Sequence, residues 1–140
     1  MLTELLGASG TRRRFEGLIS MAEAASVGAV IIDCGDPAAL ADFYGKVTGW
    51  KTGYQDDDFV YLGDDGAMQL GFQRIADYQG PSWPDARKHF HLELVVADVE
   101  SAAADLVEEG AARPKFQPGE GAYVVLTDPE GHPFCLTTAD

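Results

Sequence analysis

Side chains capable of chemistry alternate along the stretch KHFHLELVVADV at 88–99. Neighbouring side chains on a β-strand point to opposite faces of the sheet. A strand over 89–97 would therefore place His89, His91 and Glu93 on one face and apolar side chains on the other. Imidazole and carboxylate groups transfer protons, contact polar ligands and bind divalent metals. We predict a functional site here, with Glu93 and His91 as its catalytic candidates. The competing interpretation is that His91 only forms hydrogen bonds inside a cleft.

Two copies of one order of elements position this stretch. Strand 89–97 leads into a helix at 98–109 with Asp98 as N-cap, and strand 27–35 leads into a helix that starts at the N-cap Asp36. Three strands are predicted after each helix, at 50–55, 59–63 and 67–73 and then near 112–117, 122–127 and 133–138. The sequence thus predicts an α+β fold of two tandem βαβββ modules. Each sheet would bury one face against its helix, and the two remaining faces would form a shared cleft.

The module boundaries follow from composition. We predict one domain over 27–138, made of a first module at 27–74, a connector at 75–88 that is rich in proline, and a second module at 89–138. Residues 1–26 have sparse apolar spacing, which predicts a flexible N-terminal extension, with a functional arm as the alternative.

Composition restricts the partners. The chain of 140 residues has a formal net charge of −13, which disfavours binding to the phosphates of nucleic acids. No apolar run is long enough to span a bilayer, so a membrane location is not expected. The two cysteines, Cys34 and Cys135, fall on opposite faces of the predicted sheets, which predicts free thiols and favours a reducing cytoplasm.

Further residues are candidates for lining the cleft. Asp33 has the strand parity that faces it, and so has Cys135, which is either a soft ligand or a small buried apolar residue. Five aromatic residues are the strongest candidates for ligand contact or for closing the cleft: Trp50, Tyr61, Phe72, Trp83 and Phe116. Trp83 lies in the connector, where its ring would cap the cleft as a lid or pack across a dimer interface.

The sequence resembles the vicinal oxygen chelate superfamily, which includes glyoxalase I, bleomycin-resistance proteins and extradiol dioxygenases. The stretches that carry the resemblance are VGAVIIDCGDPAALADFYGKVTGW, HFHLELVVADVESAAADLVEEGA and VLTDPEGHPFCL. The resemblance implies the tandem-module fold and a homodimer. It is nearest to the glyoxalase-like members without a defined activity.

The resemblance also implies four metal-binding positions, which are usually His and Glu. They fall on Ala29, Gln69, His91 and Cys135, of which only His91 matches, and a register error would replace Gln69 by Gly71. We therefore predict a protein that binds a small organic molecule without a cofactor. The alternative is a lyase, isomerase or dioxygenase that uses a divalent metal such as Zn, Ni or Fe held by His91, Gln69 and Cys135.

Overall fold

The computed structural model describes residues 25–139 of the chain. Residues 1–24 of the predicted extension lie outside the described residues. The elements, in chain order, are β1 (Ala29–Cys34), α1 (Pro37–Thr48), β2 (Lys51–Gln55), β3 (Phe59–Gly63), β4 (Gln69–Arg74), β5 (Leu92–Val95), α2 (Val99–Glu108), β6 (Val124–Thr127) and β7 (Pro133–Thr137).

The two sheets share one order of strands, except that the second sheet has three strands where the first has four. The first has the strand order β1-β4-β3-β2, and the second has the order β5-β7-β6. Strands β5 and β7 pair in parallel, whereas the hairpins β2-β3, β3-β4 and β6-β7 are antiparallel. In both sheets the first strand of the module lies beside the last one. This arrangement confirms the predicted α+β fold with tandem modules.

Capping residues in the local sequence determine where the two helices begin. The Asp36 carboxylate accepts a hydrogen bond from the backbone N–H of Ala39, and Gly49 ends α1 with a φ of 76°. The Asp98 carboxylate likewise accepts from the backbone N–H of Ser101 at the start of α2. Such caps satisfy N–H groups that have no partner inside the helix. The predicted helix positions are confirmed.

The second module departs from the prediction at 112–117, which forms no strand and retains one isolated bridge between Ala112 and Thr127. The Gln117 side chain forms the hydrogen bonds with the backbone of Val125 that a neighbouring strand would otherwise form. Its amide donates to the carbonyl of Val125 and accepts from the Val125 N–H, at 2.8 and 2.9 Å. Pro114 lacks an N–H and cannot contribute a donor to a ladder.

Strand β5 is also shorter than the predicted 89–97. Its first partner is Phe134, opposite Leu92, and β7 itself begins at Pro133. Residues before Leu92 therefore have no partner strand. As a consequence Phe90, which the alternation assigned to the core, is 60% exposed.

The core contains the apolar face of α1, where Leu40, Phe43 and Tyr44 are buried. The Tyr44 ring stacks on Phe72 with centroids 5.5 Å apart and meets the edge of Phe134 from β7 at 6.1 Å. Aromatic pairs at such distances are favourable beyond the area they bury. Helix α1 therefore packs against residues of both modules.

Candidate functional site

A cavity of about 330 Å³ brings together residues of both modules and the connector. We call it the histidine cavity, because His89, His91 and His132 all line it. The other residues of its wall are Ile31, Ile32, Asp33, Tyr44, Tyr78, Gln79, Pro81, Arg87, Lys88, Phe90, Leu92 and Pro133. A volume of this size holds a small organic molecule.

One wall of the histidine cavity is built on a buried carboxylate. Asp128 is 3% exposed and accepts hydrogen bonds from the Tyr44 hydroxyl at 2.8 Å and from the backbone N–H groups of Glu130 and His132. Its two oxygens also lie 2.8 and 2.9 Å from Nδ1 of His132. A buried charge is tolerated when it is paired and fully hydrogen-bonded in this way.

The surroundings of His132 favour its charged form. Nε2 lies 2.7 Å from the carbonyl oxygen of Asp33 and 2.7 Å from the Tyr78 hydroxyl, while Nδ1 faces Asp128. Because a carbonyl and a carboxylate only accept, both ring nitrogens must donate. Burial lowers the pKa of His132, but the hydrogen bond and charge of Asp128, with the Asp33 carbonyl and Glu130, outweigh it and leave the pKa raised.

Glu130 joins the same turn to the start of α1. Its carboxylate accepts hydrogen bonds from the backbone N–H groups of Gly35 and Asp36, at 2.7 and 2.8 Å. The turn of the second module thus satisfies donors at the N-terminus of a first-module helix. The turn at 128–132 therefore links the two modules through hydrogen bonds beside the histidine cavity.

A neighbouring cavity, which we call the Cys135 cavity, is lined by Trp83, His91, Glu93, Tyr123, Val125, Pro133 and Cys135. Glu93 lies opposite Cys135 in the β5-β7 pairing. Burial and the charge of Glu93 raise the pKa of the Cys135 thiol. The thiol form is therefore favoured over the thiolate that binds metals or attacks as a nucleophile.

The predicted site residues separate into groups. His89, His91 and Asp33 line the histidine cavity, whereas Glu93, Trp83 and Cys135 line the Cys135 cavity together with His91. The Trp83 indole N–H donates to the carbonyl of Phe116 at 3.0 Å, and the two rings lie 6.0 Å apart. These contacts with Phe116 hold the connector tryptophan where it lines the Cys135 cavity.

The remaining candidates lie outside both cavities. Phe72 requires a correction, because it is completely buried against Tyr44 in the core instead of lining a cleft. Tyr61 packs beside Phe59 with ring centroids 4.6 Å apart, and Trp50 lies between α1 and β2. Gln69 begins β4, and its side chain runs over Gly63 toward Gly53.

The implied metal-binding positions do not form a site. Across residues 25–139, no three side chains of His, Cys, Asp or Glu come together in a way that could hold a metal ion. The Ala29 side chain has no atom that could bind a metal, and the raised pKa of Cys135 disfavours the thiolate ligand. The residues present therefore do not fit the metal that the fold family implies.

Sequence reasoning missed most residues of the histidine cavity, among them the titratable side chains of Tyr78, Arg87, Lys88 and His132. A signal for two of them was present, because Arg87 and Lys88 directly precede His89. His132 directly follows DPEG at 128–131, inside one of the stretches that carry the resemblance, but nothing in that stretch indicates a cavity residue. Tyr78 had no local signal, since the contact with His132 joins residues 54 positions apart.

A family model described as a glyoxalase-like domain matches residues 29–137. The chain belongs to the glyoxalase-like domain family. This places it in the vicinal oxygen chelate superfamily, as the resemblance implied. A search among curated proteins finds no significant match.

Solved structures similar to this glyoxalase-like protein agree with the fold. A glyoxalase/bleomycin resistance protein/dioxygenase family enzyme from Burkholderia phytofirmans is 23% identical with a TM-score of 0.62, over 80% of this chain and 97% of that one. A glyoxalase family protein from Enterococcus faecalis is 22% identical with a TM-score of 0.60, over 81% and 98%. Glyoxalase I of Leishmania major, described as trypanothione-dependent, is 20% identical with a TM-score of 0.59, over 82% and 87%. At such identities the likeness concerns the fold alone.

Within residues 25–139, no helix is both long and apolar enough to cross a membrane.

Proposed function

We propose that this glyoxalase-like protein binds a small organic molecule in the histidine cavity, without a bound metal. The observation that carries the proposal is the wall of that cavity. Apolar side chains such as Ile31 and Leu92 lie beside polar groups that converge on about 330 Å³. Ligand pockets combine apolar surface with a few well-placed polar groups in this manner.

The rigidity of one wall supports the proposal. His132 is held by Asp128, by the Asp33 carbonyl and by Tyr78, so its ring cannot turn without losing several hydrogen bonds. A pocket that is formed before the ligand arrives loses less conformational freedom on binding. We therefore expect binding without a large rearrangement of the turn 128–132.

The alternative predicted from the sequence, a metal-dependent lyase, isomerase or dioxygenase, finds no such support. It requires a set of ligands around His91, and the described residues do not provide one. Metal-free binding therefore remains our proposal.

A fragment screen by NMR tests the proposal. We expect several fragments to bind with Kd values of about 1 mM or tighter, with shift changes concentrated on the cavity residues. The variant Gln79→Trp places a large ring at an exposed position of the cavity wall and should abolish this binding. The matched control Gln55→Trp adds the same ring at an exposed position of β2 and should leave binding intact. Hits that survive both changes equally would contradict the proposal.

The homodimer and the cytoplasmic location also belong to the proposal. The dimer is supported by the resemblance, and the location by two free cysteines, which persist in a reducing compartment. Sedimentation should give about twice the chain mass of 15.0 kDa at tens of micromolar. A mass near that of one chain would contradict the dimer.

A further inference from the structure

The charges around the histidine cavity differ from those of the chain as a whole. The chain carries 23 acidic and 10 basic residues. The cavity wall reverses this balance, because Arg87, Lys88 and His132 line it beside a single carboxylate, Asp33. Charge collected in a concave site of low dielectric constant attracts ligands of the opposite sign.

These cationic groups are not equally available. Arg87 is held by Asp85 through hydrogen bonds of 3.1 and 2.9 Å, which compensate its charge. The charge of His132 is compensated by Asp128 at 2.8 Å. Lys88 forms no ion pair with any carboxylate of residues 25–139, and its Nζ lies 5.9 Å from the centroid of the Trp83 ring.

His89 and His91 supply further donors. Both side chains are exposed, and neither forms a hydrogen bond with the part of the chain that the structure describes. Neutral imidazole carries one N–H donor and the charged form carries two. Considering residues 25–139 alone, the histidine cavity therefore has one cation without an ionic partner, Lys88, and two imidazoles that line the same cavity.

From this arrangement we propose that the ligand of the histidine cavity is a small organic carboxylate, anchored by Lys88 and contacted by His89 and His91. The inference rests on the proposed function and names the class of its ligand. One uncompensated ammonium matches the single charge of a carboxylate, whereas Asp33 on the same wall repels a more highly charged group such as phosphate. The apolar side chains Ile31, Leu92 and Pro133 would contact the organic part.

Four probes of similar size test the inference on the full chain: benzoate, benzamide, benzylamine and phenyl phosphate. In NMR titrations at neutral pH and low salt, benzoate should bind about tenfold more tightly than the neutral benzamide. Benzylamine should bind no better than benzamide, and phenyl phosphate no better than benzoate. Added salt should weaken the binding of benzoate more than that of benzamide.

Three lysine variants show whether the preference for benzoate depends on Lys88. Lys88→Gln should remove the preference for benzoate over benzamide, and Lys88→Arg should keep most of it. Lys51→Gln removes one positive charge from the exposed strand β2, outside the cavity, and should change nothing. The melting temperature of each variant shows that it is folded.

Several outcomes would overturn the inference. Equal binding of benzoate and benzamide in the cavity would refute it while leaving the proposed function in place. Phenyl phosphate binding about tenfold more tightly than benzoate would show a site for a more highly charged anion. An equal loss in Lys88→Gln and Lys51→Gln would assign the effect to the overall charge of the protein. Failure of every probe and every fragment to bind would overturn both the inference and the proposed function.

Discussion

The histidine cavity has two kinds of polar wall, and they differ in how their side chains are satisfied. On one wall, His132 is enclosed by Asp128, the Asp33 carbonyl and Tyr78. On the other, His89 and His91 are exposed and free of hydrogen bonds to residues 25–139. Histidine side chains of the same cavity therefore differ in the hydrogen bonds they form with the protein. The enclosed wall contributes to stability, and the exposed wall is available to a ligand.

The difference follows from where each histidine lies in the chain. His132 ends a tight turn whose own Asp128 faces it from four residues away, so the partner is supplied locally. His89 and His91 precede β5, where no strand pairs with them. A segment without backbone partners leaves its side chains exposed to solvent.

The largest effect is expected from Asp128→Ala, which removes the centre of the enclosed wall. Tyr44 and two backbone N–H groups would lose their acceptor, and the His132 imidazolium would lose its partner. We expect the free energy of unfolding to fall by about 3 kcal/mol or more, as for other broken buried pairs. Urea unfolding followed by circular dichroism measures this free energy.

The control Asp105→Ala, at an exposed position of α2, should change the free energy of unfolding by less than about 0.5 kcal/mol. Equal losses in the two variants would contradict the comparison.

A smaller effect is expected from pH. The pKa of His132 is raised in the folded protein, so its contribution to stability is complete below the pKa of an unfolded histidine, about 6.5. That contribution is lost as the pH rises through the higher folded pKa. The free energy of unfolding of the wild type should therefore decrease from mildly acidic toward alkaline pH. His132→Gln should flatten this decrease, and His89→Gln should leave it unchanged. A decrease that persists in His132→Gln would assign it to other groups.

The smallest effect on stability is expected at the exposed wall. His91→Ala should change the free energy of unfolding by less than about 0.5 kcal/mol, because the side chain has no partner among the described residues to lose. The same change should weaken the binding of benzoate about threefold, the loss of one hydrogen bond. Parallel unfolding and titration measurements on one preparation separate the two effects. A destabilisation comparable to that of Asp128→Ala would mean that His91 is structural.

Much of the fold could be predicted from the sequence, because its signals are local. The capping carboxylates Asp36 and Asp98 act on residues three positions away, and the apolar spacing of α1 reports its own buried face. Along β5, the alternation correctly predicted that Glu93 lies on one face while Leu92 and Leu94 lie on the other, more buried one. The repeated order of elements then restricted the topology to tandem modules.

Tertiary structure decided the rest, through contacts between residues distant in the chain. The missing strand at 112–117 depends on Gln117 bonding to Val125, and the short β5 depends on where β7 begins. Phe72 is in the core because Tyr44 of α1 stacks on it.

The histidine cavity shows the same division. Strand alternation together with the repeated order of elements assigned His91 and Asp33 to one cleft, because both patterns can be read directly from the sequence. The inclusion of His132, Tyr78 and Lys88 in the cavity wall depends on packing among both modules and the connector. His132 and Asp33 are 99 residues apart and meet at 2.7 Å. No local pattern encodes such a contact, because it exists only when the cores of both modules have formed.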